Sequence, residues 1–404
     1  MNMSFYFLWS SISLGKLALS LYTMTLTVTI FSLTGSATFA SFIMLVYVLG
    51  KMISTFVFPF ITEKSPLNRI LSSSLLIQTI FIALTLAAAM YAGKHAAGLV
   101  FIYALIGLTG FTDGFVSPSR MSLVPETVSK EKIGRANSLI NTADQMFAML
   151  GWSLGAVAIS YYGFEPVLMV CIALLALSLL SSLPLKSRTI TGTGKRPKME
   201  VIKEGWSILF SPINKMRTIT TMDVLEGIAS GIWIGGISLV FVNEVLGKGE
   251  EWWGYINTAY YAGSILGGIL MAFFASKIEP YLIRGVITGS LFVCILVLLY
   301  AMNQTAWAAL VLVVLMGPFY QLRDVSQQTY IQQVTSAQAL SKMYAAKDNL
   351  YYIVFALSVF ITGVISDTIG VVYVYYFAFL LYLASTIFAL IAFRVSKTEK
   401  AMQC

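Results

Sequence analysis

Charge is scarce in this chain: Asp, Glu, Lys and Arg make up 11% of 404 residues, against about 25% in soluble domains. Histidine occurs once, as His95, and cysteine three times, as Cys171, Cys294 and Cys404, with no Cys-x-x-Cys spacing. One histidine excludes a multi-histidine metal centre and argues against a Ser/His/Asp triad. The scattered cysteines supply no disulfide framework. No cofactor or metal is expected, and the chain does not read as an enzyme. What takes the place of charge is apolar: 58% of residues, with a mean hydropathy of +0.81. A soluble globule of this size could not hide that much apolar surface, and a disordered chain would not carry it. The apolar runs are long rather than alternating over about ten residues, which excludes a β-barrel. The N-terminus lacks the basic segment and short apolar stretch of a cleavable signal peptide.

The runs predict twelve membrane spans of about 20–28 residues. They fall at roughly 5–31, 38–62, 69–91, 97–118, 137–162 and 165–185, then 218–245, 253–275, 282–302, 307–325, 343–366 and 371–393. Of the 26 Lys and Arg, Lys94 and Lys248 fall on one side of the membrane and Lys16 and Lys51 within spans. The rest gather on the other side, Arg120 in a loop and Lys347 and Arg323 at helix ends. This asymmetry predicts a multi-pass protein of the cell membrane with both termini cytoplasmic. It also accounts for the net charge of +8 without a nucleic-acid partner, because the basic residues sit in short loops rather than on one soluble domain.

The longest polar stretch, 186–217, contains Thr191-Gly-Thr-Gly-Lys-Arg-Pro-Lys198, a flexible basic linker, then Met199–Phe210, which fits a short amphipathic helix. In that helix Val201, Trp206 and Leu209 would face lipid or neighbouring helix ends. The predicted organisation is a six-helix bundle over 1–185, the linker over 186–217 and a second six-helix bundle over 218–404. The halves echo each other at an offset of 207: Gly110 meets Gly317, Arg135 meets Lys342, Asn141 meets Asp348 and Gly163 meets Gly370. An internal repeat in a twelve-span chain points to a secondary transporter with a midplane site between related halves.

Six plus six spans, the basic linker and these echoes resemble the major facilitator superfamily over nearly the whole chain. Ser32–Ala37 after the first span and Ser117–Leu139 after the fourth are similar to the Thr-Gly-Ser turn and the Pro-rich connection ending Ala-Asn-Ser of its drug:proton antiporter-3 branch. That branch includes macrolide efflux proteins and enterobactin-type siderophore exporters. The resemblance implies two bundles related by pseudo-twofold symmetry. It also implies a cavity lined by spans 1, 4, 7 and 10, and an inner gate to which Glu63, Lys64, Arg69 and Asp113 would contribute. The pattern is degraded in places. Pro59 stands near the signature glycine of spans 2–3, and Glu63-Lys64 near its Asp-Arg pair. Gly151-x-x-x-Gly155 lacks the proline of the antiporter signature, and Gly15-Lys16 puts a cation where many relatives carry an acid.

Lys16, Lys51, Asp113, Asp144, Asp223, Glu226 and Asp348 all fall within predicted spans. Facing lipid, they would oppose insertion by about 15–25 kcal/mol together, so they are expected to face water or one another. Ser13, Lys16, Ser20, Thr23 and Thr27 repeat at spacings of 3 and 4 and line one helix face over about 21 Å. Lys16, Ser20 and Thr23 are therefore candidate substrate contacts; the plainer reading is hydroxyls bonded back to their own helix. Asp223 and Glu226, with Ser230 on much the same side, and Asp348 are candidate proton carriers. Away from bulk water, paired acids suit a group loaded from one side and emptied to the other. The plainer reading is structural ion pairing. Lys16 and the acidic pair are expected to face each other. Trp233, Tyr260, Tyr320 and Tyr351 lie on probable cavity spans and offer flat surfaces to amphipathic ligands; interfacial packing is the alternative. Tyr22 and Phe319 share that position, and Gly317-Pro318 is expected to bend the tenth span.

Together these features predict a monomeric, proton-coupled exporter of small amphipathic molecules, drug-like or siderophore-like, working by alternating access in the lipid bilayer. The alternatives are an importer or a lipid or lysolipid flippase on the same fold, and, less favoured, a membrane sensor that transports nothing.

Overall fold

A computed structural model describes residues 1–92, 96–187, 198–233 and 235–402. Lys94, His95 and the 188–197 part of the basic linker lie outside the described residues. Every regular element among those described is helical. The first half contains α1 (Met3–Thr34), α2 (Ala37–Thr62), α3 (Leu67–Ala92), α4 (Ala96–Asp113), α5 (Val116–Thr127), α6 (Ile133–Tyr162) and α7 (Phe164–Ser182). After α8 (Lys198–Leu209) the second half contains α9 (Met216–Ala229), α10 (Gly235–Glu244), α11 (Glu250–Ile278), α12 (Leu282–Ala301), α13 (Ala306–Val334), α14 (Ala337–Ile369) and α15 (Val371–Met402).

Among the described residues, nine stretches are long and apolar enough to cross a membrane, or ten with the broken pair Ile213–Trp233 and Gly235–Glu244 taken as one span. One of the nine, Glu250–Ala301, has 52 residues, and at about 1.5 Å per residue is far longer than a ~30 Å bilayer core. A short 3-10 turn at Glu279–Tyr281, with Pro280 in it, divides that stretch into α11 and α12. The 30-residue α6 is diluted by small and polar side chains but is long enough to cross. Counted so, the twelve expected spans are all present. The fourth is α4 plus α5, broken at Gly114-Phe115, and the seventh is α9 plus α10, interrupted by a 3-10 turn at Ser230–Trp233. The tenth is not interrupted at Gly317-Pro318: α13 runs through both residues to Val334.

The chain divides into two compact units, and the division is not one cut. The first unit takes Met1–Lys130, Ala143–Gly205 and Ser336–Asn349; the second takes Glu131–Thr142, Trp206–Thr335 and Leu350–Cys404. Each unit therefore holds the first turns of a helix whose remainder belongs to the other. The sequence boundary at 186–217 does not show this exchange.

Close helix contacts stiffen each unit. In the first, a methyl group at Gly110 would overlap the Tyr47 carbonyl, and one at Gly50 the Gly107 carbonyl, so α2 and α4 meet backbone to backbone. In the second, a methyl group at Gly317 would overlap the Gly263 backbone, which joins α13 to α11 in the same way. Gly151 lies against Ser20 and Gly155 against Met24, seating α6 on α1. A core of Phe241, Tyr300 and Tyr375, with ring centroids 4.3–5.3 Å apart, ties together α10, α12 and α15.

Candidate functional site

Each unit contains a cluster of charged side chains on its membrane-length helices. In the first, Lys51 on α2 pairs with Asp113 at the end of α4 at 2.7 Å, and Tyr47, one turn before Lys51, donates to the same carboxylate at 2.8 Å. Arg120 on α5 pairs with Asp144 on α6. Lys16 on α1 lies in the field of all four, with Asp144 the strongest influence. Lys16 is exposed, and among the described residues it makes no ion pair or hydrogen bond. Asp348, on the exchanged start of α14, accepts from the Ser117 hydroxyl and feels Lys51 and Arg120, while its Oδ2 has no hydrogen-bond partner.

In the second unit, Arg323 stands in the middle of α13, its Nη2 2.8 Å from Asp223 and its Nε 2.9 Å from Glu226, both on α9. Nη1 lies 2.8 Å from the neighbouring Asp324. The Gln327 amide nitrogen donates to both oxygens of Asp223 at 2.9 and 2.8 Å. Ser290 on α12 and Ser385 on α15 donate to Glu226 Oε1 at 2.9 and 2.6 Å. Four helices thus converge on one buried glutamate. One turn along α13, the Tyr320 hydroxyl accepts from Trp233 Nε1 at 3.1 Å and lies 3.0 Å from the Tyr382 hydroxyl. Tyr260 on α11 packs 6.2 Å from Trp233.

These positions revise several expectations. Arg120, assigned above to a loop on the charged side, and Arg323, assigned to the end of the tenth span, both lie inside ion pairs on helices that continue past them. The acidic pair Asp223 and Glu226 finds its cation within its own unit, in Arg323, rather than in Lys16. Ser20 and Thr23 are buried at 6% and 5% exposure. Thr23 bonds the carbonyls of Leu19 and Ser20, and Thr27 that of Thr23; of the stripe on α1, the lysine alone is exposed. Ser230 likewise bonds back to Gly227. Tyr22 is fully buried beside Thr85, and Phe319 is stacked on Phe292. Trp233, Tyr260 and Tyr320 come together, whereas Tyr351 stands apart, 57% exposed and stacked on Phe355.

The gate candidates separate as well. Asp113 pairs with Lys51, and Lys64 and Arg69 are exposed. Glu63 takes Lys342 at 3.1 Å, and the same amine reaches Glu204 on α8 at 2.9 Å. Lys342, on the start of α14, is thus held by the end of α2 and by the linker helix. A methyl group at Gly205 would overlap the Lys342 carbonyl, so α8 lies directly against α14. Val201 and Leu209 are buried at 1% and 2%, pressing on neighbouring elements, and Leu209 accepts from Thr220 of α9 at 2.7 Å.

Twelve membrane-length helices built on an internal repeat, with a paired charge cluster in each unit, define a secondary transporter scaffold. The sequence profile of the Major Facilitator Superfamily matches residues 8–346, and the chain belongs to that superfamily. A Bacillus subtilis (strain 168) protein named "Uncharacterized MFS-type transporter YfmI" is 35% identical over 391 residues, covering 96% of both chains. Among solved structures, a bacterial homologue of the iron transporter ferroportin in an outward-facing state superposes with a TM-score of 0.79 at 11% identity, covering 97% of this chain and 99% of that one. The Escherichia coli fucose:proton symporter FucP superposes with a TM-score of 0.72 at 14% identity, covering 96% and 98%. These two likenesses are likenesses of fold. The protein is a multi-span membrane transporter of this superfamily, not an enzyme.

Proposed function

We propose that the chain is a proton-coupled secondary exporter of small amphipathic molecules, drug-like or siderophore-like, in the drug:proton antiporter-3 manner. It works as a monomer in the cell membrane, with both termini in the cytoplasm. The observation that carries this reading is the buried Glu226, which shares Arg323 with Asp223 one helical turn from the Trp233–Tyr320–Tyr382 hydroxyl chain. A carboxylate held by one guanidinium and two hydroxyls can exchange its cation for a proton without being left buried and bare. The rings beside it give the apolar part of a substrate a surface. Asp348 is a second proton carrier: it sits on the start of α14 with one oxygen unpartnered, so its charge bears on how that segment is held. Lys16 is the exposed cation available to an acidic or catechol-like group. In this reading alternating access consists of the exchanged starts of α6 and α14 letting go and re-forming.

The test uses everted vesicles loaded with the full chain, an imposed pH gradient and a fluorescent amphipathic probe. Glu226→Gln, Asp223→Asn and Asp348→Asn are compared one at a time, and at least one should reduce gradient-driven uptake to the level of empty vesicles. Unchanged uptake in all three would end the coupling proposal, and probe movement only in the opposite direction would replace export with import.

A further inference from the structure

The turn that joins α11 to α12 carries two cations whose charge nothing in the second unit neutralises. Lys277 stands in the last turn of α11 and Arg284 in the first turn of α12, with the 3-10 turn Glu279–Tyr281 between them. Both are exposed, and among the described residues neither makes an ion pair or a hydrogen bond. The acid of the turn is drawn elsewhere: Glu279 Oε1 accepts from the Gln333 side chain of α13 at 2.8 Å. Each cation lies instead over an aromatic ring. Lys277 Nζ is 5.6 Å from the centre of Phe274, and Arg284 Cζ is 4.9 Å from that of Tyr281. A cation resting on a ring gives up part of its side-chain freedom before any ligand arrives, and it keeps its full charge.

Both cations also end an exposed apolar stripe. On α11, Leu266, Leu270 and Phe273, the last 78% exposed, lead at helical spacing to Lys277. On α12 the stripe below Arg284 runs through Leu291, Ile295 and Leu299, all exposed. The stretch Glu250–Ala301 that holds both helices is apolar enough to cross a membrane, and in a bilayer such stripes meet acyl chains. The helices run in opposite directions from a three-residue turn, so both stripes end at the same edge of the apolar layer. In the topology proposed above, that edge is the cytoplasmic one. A matching ligand has a negative head for Lys277 and Arg284 and apolar chains for the stripes. That is the chemistry of an anionic phospholipid; free phosphate would use the head contacts and neither stripe.

We propose that the α11–α12 turn holds an anionic phospholipid of the cytoplasmic leaflet, its phosphate on Lys277 and Arg284 and its acyl chains along the two stripes. The site does not depend on what the protein transports. The corresponding turn of the first unit, between α2 and α3, has the same outline and is held differently. Its acid, Glu63, is taken by Lys342, and its cations, Lys64 and Arg69, are exposed. Among the described residues neither of those cations lies over a ring. The first unit therefore supplies the same two charges without the rings.

The test is native mass spectrometry of the purified full chain, titrated with phosphatidylglycerol and with phosphatidylcholine of the same acyl chains, reading the affinity of the first lipid bound. Each cation near an acidic headgroup is worth about fivefold, so phosphatidylglycerol is expected to bind at least about tenfold more tightly. The double variant Lys277→Gln, Arg284→Gln should lose about that preference and leave phosphatidylcholine within about twofold. The charge-matched variant Lys64→Gln, Arg69→Gln should change phosphatidylglycerol binding less than about twofold. Equal affinity for the two lipids, or a Lys277→Gln, Arg284→Gln protein that binds like the wild type, would overturn the proposal. Equal losses from both variants would also overturn it, by showing only the general attraction of a basic face. Excess glycerol 3-phosphate, a head without chains, should not displace phosphatidylglycerol; displacement would replace the lipid with a phosphate ion. If Lys277→Gln, Arg284→Gln does not fold, Phe274→Leu, Tyr281→Leu takes its place with both charges kept: loss of at least threefold supports the site, and unchanged affinity removes it. No transport is measured, so failure here leaves pH-driven export to be judged by the vesicle experiment.

Discussion

The starts of α6 and α14 occupy equivalent places in the repeat, and each packs into the unit that the rest of its helix does not join. They are held by different chemistry. The α6 start is held by neutral amides: Asn137 donates to Thr329 at 3.1 Å and to Gln332 at 2.8 Å, Asn141 reaches Gln328 at 3.4 Å, and Gly134 lies against Thr329. The α14 start is held mainly by charge, with Lys342 between Glu63 and Glu204 and Asp348 beside Ser117, and only one neutral bond, from Thr55 to Asn349, is added among the described residues. An amide pair does not change with protons or ions, whereas an ion pair does. The difference teaches that one scaffold repeat can carry a fixed attachment and an adjustable one, and that the adjustable attachment here is α14.

Three measurements would break or sharpen that contrast, using Ser138→Cys in the α6 start and Ser341→Cys in the α14 start as reporters, both positions being fully buried. The largest effect is expected from Lys342→Ala, which leaves two carboxylates without their shared cation. Breaking a buried pair costs about 3–5 kcal/mol. Because Glu204 keeps 34% of its side chain exposed, about 2–3 kcal/mol is expected. Maleimide labelling at position 341 should then rise about 30- to 150-fold, with position 138 unmoved; equal increases at both positions would show that the two starts are not held independently. Asn137→Ala should do the converse on a smaller scale. Loss of two amide hydrogen bonds costs about 1–2 kcal/mol, so labelling at position 138 should rise about tenfold, and position 341 should not respond. The smallest effect is that of salt. Raising it to about 1 M shortens the screening length to ~3 Å, yet Lys342 is only 7% exposed, so position 341 should label less than about threefold faster and position 138 no faster. A large salt effect at position 138 would mean that charge holds α6 too.

The fold was legible because apolar runs of bilayer length and an uneven spread of Lys and Arg are one-dimensional signals. The site was legible in part. Lys51 and Asp113 stand out as intramembrane charges, but their pairing depends on the close approach of α2 and α4, which no spacing states. Arg323 was placed at the end of a predicted span: past Pro318 the sequence turns polar, and hydropathy ends the span at about 325, although α13 runs on to Val334. The available signal was the period of Tyr320, Arg323 and Gln327, which continues one helix face to Val334 with no glycine or proline after Pro318. Glu204 could not be matched to Lys342 from sequence, because the linker helix is placed only by tertiary packing against α14.

The glycine seams between α2 and α4 and between α11 and α13 bear on where the molecule can bend. With main chains pressed together and no side chains between them, neither pair has a layer on which to slide, so each behaves as a plank. Flexing is left to the joints that interrupt other spans, at Gly114-Phe115 and at Ser230–Trp233. A bulky residue wedged into either seam would turn a stiff board into two loose ones, and the stroke would be lost with every charge still in its place.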